Sequence, residues 1–266
     1  MKKTLLLLST LICSLMNAQK LDLGINYNAD IPFAADMPKM NMNHGAGLYI
    51  GYKVLEKTPL WFSADLSTGM YAYKSRKETY RFTDGTETET WVNYSSNLHK
   101  LLFGFNYDIG RSENLFSGYL TAQAGYAIMN SKIFIEDPSE PDGCKALVNK
   151  NTLIYGNGIY AGGAGVRINI NQLQKKQNKY GFNQHIEIGV KYTGGGNFNY
   201  VNIKHMQEHN HAIAGSASTS TNADTRDLTV KFVNVTTNDI HEHKVAEVYT
   251  SPFKMLNLKV GYMVRF

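Results

Sequence analysis

An alternation of apolar and polar residues at the carboxyl end of the chain constrains the fold most. From Leu256 to Phe266 every second residue is apolar, and the residues between them are polar, small or charged apart from Met263. Successive side chains of a β-strand point to opposite faces, so this segment has one wholly apolar face. A tilted strand of about eleven residues is long enough to cross a bilayer. The segment therefore predicts a membrane-spanning strand.

The amino terminus has the layout of a secretory signal peptide. Two lysines follow Met1, the apolar run Leu5–Met16 comes next, and Ala18 supplies a small residue at the expected cleavage point. A lipoprotein attached through Cys13 is the alternative, but bulky residues precede that cysteine. We predict a signal peptide over residues 1–18 and a mature chain that begins near Gln19.

Composition narrows the class of protein. After the predicted signal peptide no run approaches the roughly 18 apolar residues of a membrane helix, so the mature chain is either soluble or spans as a barrel. It keeps one cysteine, Cys144, which cannot form an intramolecular disulfide. The formal net charge of +5 includes two lysines of the signal peptide. Such a small excess argues against a nucleic-acid partner.

Seven further segments alternate like the closing one. Their connections are mostly long and short in turn, as in barrels whose periplasmic turns are tight and whose outer loops grow freely. The predicted fold is all-β: a closed, antiparallel, up-and-down, eight-stranded transmembrane barrel with long extracellular loops, occupying residues 19–266. Long polar loops are expected at about residues 75–92, 136–151 and 201–250. The strands preceding the closing one are predicted at about residues 20–29, 44–54, 60–74, 93–109, 115–133, 152–169 and 182–200.

The glycine-rich face of these strands also carries charge, which distinguishes a membrane barrel from a soluble one. A soluble barrel such as a lipocalin would turn these charges to solvent, and that alternative stays open. An eight-stranded barrel is only wide enough for its own side chains, so charges inside it would have to pair. The predicted lumen charge network consists of Lys53, Asp65, Lys100, Arg167, Glu187, Lys191 and Lys259.

The last eight residues resemble the closing signal of bacterial outer-membrane barrels, which the chain would carry at Lys259, Gly261, Val264 and Phe266. On this motif and the strand pattern, the chain resembles small OmpA- and OmpX-like barrels, in the form common as "outer membrane beta-barrel" proteins in Bacteroidota. The resemblance implies a Gram-negative outer-membrane location and contact with lipid and lipopolysaccharide. It also implies assembly by the barrel insertion machinery.

Histidines in the last predicted loop suggest a metal site. Imidazole is the commonest metal ligand, and histidines two residues apart share one side of an extended chain. A polar, solvated loop that is merely rich in histidine explains the same residues. The candidate ligands for weak zinc or copper capture are His205, His209, His211, His241 and His243.

Catalytic residues are not expected. The nearest arrangement to a lipid-modifying enzyme is His99 with Ser95 and Ser96, but no carboxylate is placed to orient the imidazole. No cofactor motif is present. Aromatic residues near the outer strand ends predict an interfacial girdle. Its members would be Tyr71, Tyr73, Tyr80, Trp91, Tyr94, Tyr155, Tyr160 and Tyr200.

The sequence thus predicts a non-enzymatic outer-membrane barrel with a side-chain-filled lumen. Its role would be in envelope structure or in contacts of its extracellular loops, including contact with a protein partner. The main alternative is a barrel subunit of a larger secretion or surface assembly, like those of type IX secretion. A porin-like pore for small solutes, a metal-capturing protein and a lipid A-modifying enzyme are further alternatives.

Overall fold

A computed structural model describes residues 21–37, 39–55, 57–81, 87–111, 114–136, 146–174, 182–202, 226–233 and 240–266. These residues are mostly β-strand. The strands are β1 (Leu21–Pro32), β2 (Asn43–Lys53), β3 (Leu60–Arg81), β4 (Glu87–Ile109), β5 (Phe116–Glu136), β6 (Ala146–Asn169), β7 (Asn183–Asn202), β8 (Arg226–Val233) and β9 (Ile240–Arg265). A four-residue helix, α1 (Ile170–Leu173), follows β6. Within the described part of the chain, no helix is long and apolar enough to cross a membrane.

The strands close into a barrel. Each strand from β1 to β7 is antiparallel to the next, and β9 pairs with β7 on one side and with β1 on the other. Tyr262 of β9, for example, lies opposite both Ile186 and Ile25. The predicted closed, eight-stranded, antiparallel barrel is therefore confirmed. β8 is an additional strand that pairs with the first part of β9.

The strand faces follow the predicted alternation. In β9, Leu258, Val260 and Tyr262 are 39–51% exposed, whereas Lys259 between them is 4% exposed. The same order holds around the barrel, so the outer surface carries an apolar belt. Its exposed members include Leu23, Ile25, Leu48, Ile50, Phe62, Leu66, Leu101, Phe103, Phe105, Leu120, Tyr126, Val166, Ile186, Ile188, Val190, Leu258, Val260 and Tyr262.

The strands extend much further than predicted beyond this belt. The predicted polar loop at residues 75–92 is mostly strand, because β3 continues to Arg81 and β4 begins at Glu87. The closing strand begins at Ile240, inside the predicted loop at residues 201–250. Backbone pairing with neighbouring strands maintains extended structure there although the outer face has become polar. The polar composition of these segments therefore does not reveal that they are strands, because pairing in the sheet overrides local preference.

Beyond the belt the wall divides into two sheets. The pairing of β1 with β2 ends at Asp30, and that of β1 with β9 ends at Pro32. The extended parts of β3, β4, β5 and β6 form one sheet, and those of β7, β9 and β8 form a second sheet. β8 thus occupies the side of β9 that faces β1 lower in the barrel. We call these two sheets the outer extension.

Close packing of the barrel wall can be tested at Gly125 on β5. A Cβ atom there would lie 1.9 Å from the carbonyl oxygen of Leu101, whereas a Cβ atom at Gly158 would approach no atom closer than 3.9 Å. We expect Gly125→Ala to lower the free energy of unfolding by about 1–3 kcal/mol, because the backbones must separate. The matched variant Gly158→Ala should be neutral or slightly stabilising. Urea unfolding in detergent micelles measures both, and equal stability of the two variants would contradict this packing.

Candidate functional site in the barrel lumen

The inner face of the barrel holds a balanced set of buried charges. Among the described residues with buried side chains, five are acids and five are lysines or arginines. Isolated charges in such surroundings would be costly, so each needs a close partner. The acids are Asp22, Asp30, Asp65, Asp108 and Glu187, and the bases are Lys100, Arg167, Lys191, Lys259 and Arg265.

The first cluster lies at the end of the barrel where β1 begins and β9 ends. Arg265 of β9 donates two hydrogen bonds to the carboxylate of Asp22 on β1, at 2.7 and 2.8 Å. Its third contact, from Nη1 to Asp108 Oδ2, measures 2.8 Å. Arg167 donates to the other oxygen of Asp108. Because planar guanidinium groups match carboxylates in two-point contacts, this cluster links four strands, β1, β4, β6 and β9, with defined geometry.

Aromatic rings complete the surroundings of three of the cations. The Arg265 guanidinium carbon lies 4.1 Å from the ring centroid of Trp61, and that of Arg167 lies 4.4 Å from the ring of Tyr119. The Lys259 ammonium is 4.6 Å from the ring centroid of Tyr49. A ring face attracts a cation and replaces part of its lost water. These cations therefore contact both a carboxylate and a ring.

The second cluster occupies the middle of the lumen around Asp65 of β3. Lys191 lies 3.2 Å and Lys259 lies 3.5 Å from its carboxylate oxygens, and Gln123 donates to it at 2.7 Å. Lys259 also contacts Glu187 at 3.1 Å. The two acids and two lysines come from β3, β7 and β9, so the cluster joins opposite sides of the wall.

The third cluster marks the outer limit of the charged zone. Lys100 pairs with Asp30 at 2.5 Å, and both side chains are buried. Asn43 and Asn257 each donate to the same carboxylate at 2.8 Å. The Asp30 carboxylate is thereby held by partners from β2, β4 and β9.

Above this level the lumen becomes apolar. Buried methionines, aromatic residues and aliphatic residues from both sheets fill it in place of charges. The lower group comprises Met37, Met40, Tyr71, Leu98, Leu102, Ala127, Met129, Ile159, Ala161, Phe198, Tyr200, Tyr249, Phe253 and Met255. The upper group comprises Val92, Tyr94, Ile133, Ile135, Val201 and Val248. We call the two groups together the apolar plug.

The connection between β1 and β2 supplies part of this plug. Met37 is fully buried in it, and the backbone N–H of Phe33 donates to the carbonyl of Lys254 at 3.1 Å. The Lys254 ammonium pairs with Asp36 at 2.7 Å, and the Lys39 ammonium donates to the Tyr249 hydroxyl at 3.1 Å. Three contacts with β9 therefore hold this connection over the barrel mouth.

The predicted aromatic girdle is wrong in part, because the outer lumen also needs large apolar side chains. Tyr71, Tyr94 and Tyr200 are buried inside, and Tyr155 packs against the plug. The side chain of Tyr80 lies outside the described part of the chain. The members that do face outward are Tyr73, Trp91 and Tyr160.

Six of the seven residues predicted for the lumen charge network are buried in these clusters: Asp65, Lys100, Arg167, Glu187, Lys191 and Lys259. Lys53 is half-buried, with its ammonium 5.9 Å from the ring of Trp61. Sequence reasoning missed four charged members of the network. Their inward parity was a usable signal, but parity alone does not identify partners. The missed residues are Asp22, Asp30, Asp108 and Arg265.

The predicted metal ligands stay a prediction. His205, His209 and His211 lie outside the described residues, and only the backbones of His241 and His243 are described, in the part of β9 that pairs with β8. Among the residues that are described, no group of three or more histidines, cysteines or acids could hold a metal ion.

The suggested histidine–serine arrangement is not assembled. His99 faces outward, and its Nδ1 lies 2.8 Å from the hydroxyl of Thr68. Ser96 faces the lumen, where its hydroxyl lies 2.7 Å from that of Ser131. His99 and Ser96 are on opposite faces of β4, so they cannot act on one substrate. Ser95 shares the outward face with His99, but four residues along the strand separate the two by about 13 Å.

The residues of the predicted closing signal lie in the strand that completes the barrel. Lys259 and Gly261 pair with Asn28 and Asn26 of β1, and the N–H of Phe266 donates to Leu21 at 2.9 Å. Their part in assembly remains a prediction.

The structure defines a class: a closed eight-stranded antiparallel barrel with an apolar exterior and a charged interior. No protein-family model matches the chain, and no curated protein matches its sequence. Among solved structures, it is similar to Neisserial surface protein A at 9% identity, with 92% of this chain and 96% of that chain covered and a TM-score of 0.40.

Two further solved structures resemble the chain at a similar level. For the N-terminal β-barrel domain of Pseudomonas aeruginosa OprF, the identity is 13%, the coverage is 91% of this chain and 96% of that chain, and the TM-score is 0.33. Ail of Yersinia pestis, solved in complex with the heparin analogue sucrose octasulfate, is 10% identical, with the same coverage and a TM-score of 0.33.

The buried network should contribute strongly to stability. We expect Asp65→Asn to lower the free energy of unfolding by about 3–5 kcal/mol, because Lys191 and Lys259 lose a buried counter-charge. The control is Lys77→Gln in the exposed Lys77–Glu89 pair, where water screens the charges and little change is expected. A folded barrel and its unfolded chain migrate differently on a gel when the sample is not boiled. The temperature at which the folded band disappears measures the stability of both variants. A similar small effect of the two variants would refute a structural role for the network.

Proposed function

We propose that the chain is an integral protein of the bacterial outer membrane. In this proposal its barrel is a closed scaffold and its outer extension makes contacts at the cell surface. The observation that carries the proposal is the inverted distribution of side chains, with charges inside and large apolar residues outside. Water would oppose that arrangement, whereas hydrocarbon favours it.

The dimensions of the belt support the proposal. On β9 the outward residues are apolar from Leu256 to Phe266, and the next outward side chain is Lys254. On β4 the belt ends above Leu101, where the outward residues become His99, Asn97 and Ser95. About nine to eleven residues per tilted strand is the length that a membrane-spanning strand needs.

Aromatic rings lie near the outer border of the belt. Phe33 and Tyr192 have ring centroids 5.9 Å apart, and those of Tyr160 and Tyr192 are 6.4 Å apart. Rings with an apolar body and a polar tip favour the boundary between hydrocarbon and water. These contacts support a membrane interface beside Lys254, where the outer face becomes polar.

The filled lumen favours a scaffold over a pore. An eight-stranded barrel is only wide enough for its own side chains. The described inward residues are paired charges with polar and aromatic side chains in one half and the apolar plug in the other. Apolar constrictions exclude water and ions. The part of the molecule left for recognition is the outer extension, which supports a role in surface contacts or envelope structure. Membership in a larger secretion or surface assembly would use the same surface.

The orientation of the belt can be tested with one added charge. We expect Phe103→Arg, at an outward position within the belt, to lower the free energy of unfolding in lipid vesicles by about 2–4 kcal/mol, because arginine must enter hydrocarbon. Ser95→Arg, on the same face of β4 above the belt, is the matched control and should fold normally. Denaturant titration in vesicles measures both. If Phe103→Arg were as stable as the control, the lipid-facing assignment would be wrong.

A further inference from the structure

An open groove lies in the apolar belt where β9, β1, β2 and β3 are side by side. Its volume is about 640 Å³, within the range of about 300–1,000 Å³ that is common among small-molecule sites. Two rows of outward residues that face one another across the strands form much of its lining. Nearer the outer border lie Tyr27, Ala46 and Thr68, and further into the belt lie Ile25, Leu48 and Leu66.

Ala46 forms the floor of this groove. Its methyl group is much shorter than the side chain of Tyr27, which lies opposite on β1, and than that of Leu48, the next outward residue on β2. Gly47 and Gly261 also line the space. The groove is therefore an apolar depression bounded by larger side chains.

The outer end of the groove is polar. On β2 and β4 the first polar outward residues above the apolar ones are His44 and His99, and on β3 the first is Thr68. The Tyr27 hydroxyl is within hydrogen-bonding distance of His44 Nδ1, and the two rings stack with centroids 6.2 Å apart. The Thr68 hydroxyl lies 2.8 Å from His99 Nδ1. Two hydroxyl–imidazole pairs thus lie where the belt ends.

These pairs leave one nitrogen of each imidazole for a ligand. Within the described part of the chain, Nε2 of His44 and Nε2 of His99 have no hydrogen-bond partner. When a hydroxyl donates to Nδ1, the hydrogen of a neutral imidazole lies on Nε2, and a protonated imidazole is also a donor there. Such N–H groups favour an anionic oxygen, and most strongly that of a phosphate.

The position of the groove restricts its occupant. In the proposed function the belt faces hydrocarbon, so the groove opens to the membrane and not to water-soluble molecules. A second barrel would present a convex wall, which would contact the rim at Tyr27 and Leu48 without filling the space above Ala46. An alkyl chain is narrow enough to fill that space, where it gains packing contacts on several sides.

We propose that the groove is a binding site for one membrane lipid with a phosphate-bearing head group. One acyl chain of the lipid lies over Ala46, and the head group lies between the two hydroxyl–imidazole pairs, where Nε2–H of His44 and of His99 donate to it. The inference rests on the proposed function, because the groove meets lipid only if the belt faces hydrocarbon.

The test uses the full-length protein in a nonionic detergent, titrated with dimyristoyl phosphatidic acid. Native mass spectrometry counts the lipids bound to each chain. Dimyristoylglycerol has the same acyl chains without the phosphate, and glycerol 3-phosphate has the phosphate without the chains. These two probes separate the contribution of the chains from that of the head group and distinguish a lipid site from a site for free phosphate.

Matched variants locate the binding. Ala46→Phe fills the floor of the groove, and Ala122→Phe makes the same change at an exposed outward position of β5, away from the groove. A double variant replaces His44 and His99 by alanine. Unboiled gels show whether each variant folds, and Ala46→Leu replaces Ala46→Phe if the latter does not.

We expect one phosphatidic acid per chain at saturation, bound about tenfold more tightly than dimyristoylglycerol. The affinity should fall about tenfold in Ala46→Phe and in the double histidine variant, and should be unchanged in Ala122→Phe. Binding that does not saturate, displacement of the lipid by glycerol 3-phosphate, equal binding of dimyristoylglycerol, an unchanged affinity of the double variant, or equal effects of the two phenylalanine variants would overturn the proposal.

The oligomeric state supplies one further outcome. A wild-type dimer that Ala46→Phe converts to a monomer would overturn the proposal, because the occupant would be a second copy of the chain. The Phe103→Arg variant tests the orientation of the belt separately. If Phe103→Arg is destabilised in vesicles and the groove binds no lipid, the proposed function stands and this inference fails.

Discussion

Charge pairing inside a narrow closed cylinder is the constraint on which the rest of the structure depends. Arg265 and Asp22 lie near the two ends of the described chain, yet their side chains form a two-point contact in the lumen. The same two residues are opposite one another where β1 pairs with β9. Closing the barrel therefore brings the charges together, and unpaired charges would oppose any open form. The register that closes the barrel between β1 and β9 thus also pairs these two charges, so the strand register contributes to stability.

The polarity of both faces of β4 changes at the outer border of the belt. On β4, outward residues change from Phe103 and Leu101 to Asn97 and Ser95, while inward residues change from Asp108 and Lys100 to Tyr94 and Val92. Side-chain alternation on β4 continues unbroken through this point. The lower part of the barrel is built for hydrocarbon outside, and the outer extension is built for water outside with an apolar core. One strand thereby serves two environments.

That change explains how much of the molecule the sequence could reveal. Alternation of period two located the belt strands, and it assigned an inward position to six charged residues that the structure buries, because lipid imposes a strong and regular pattern. Over much of the outer extension the sequence instead predicts loops, because the outward residues are polar and the inward tyrosines resemble an interfacial girdle. Partners such as Asp108 with Arg167 were missed because a face does not specify a contact between strands distant in sequence. The sequence also does not assign Met37 to the apolar plug, because only the folded barrel shows that its loop enters the barrel mouth.

In the belt part of β9, residues 256 to 264, we infer that even-numbered side chains face lipid while odd-numbered side chains face a filled lumen. Spin labels attached one at a time at residues 256 to 264 test this assignment in protein reconstituted in vesicles. The measurement is the accessibility of each label to oxygen, which concentrates in hydrocarbon, and to a water-soluble nickel complex. We expect high oxygen accessibility at Leu258, Val260 and Tyr262, and low accessibility to both reagents at Asn257 and Lys259. High nickel accessibility at Leu258 and Val260, or an absence of alternation, would contradict it.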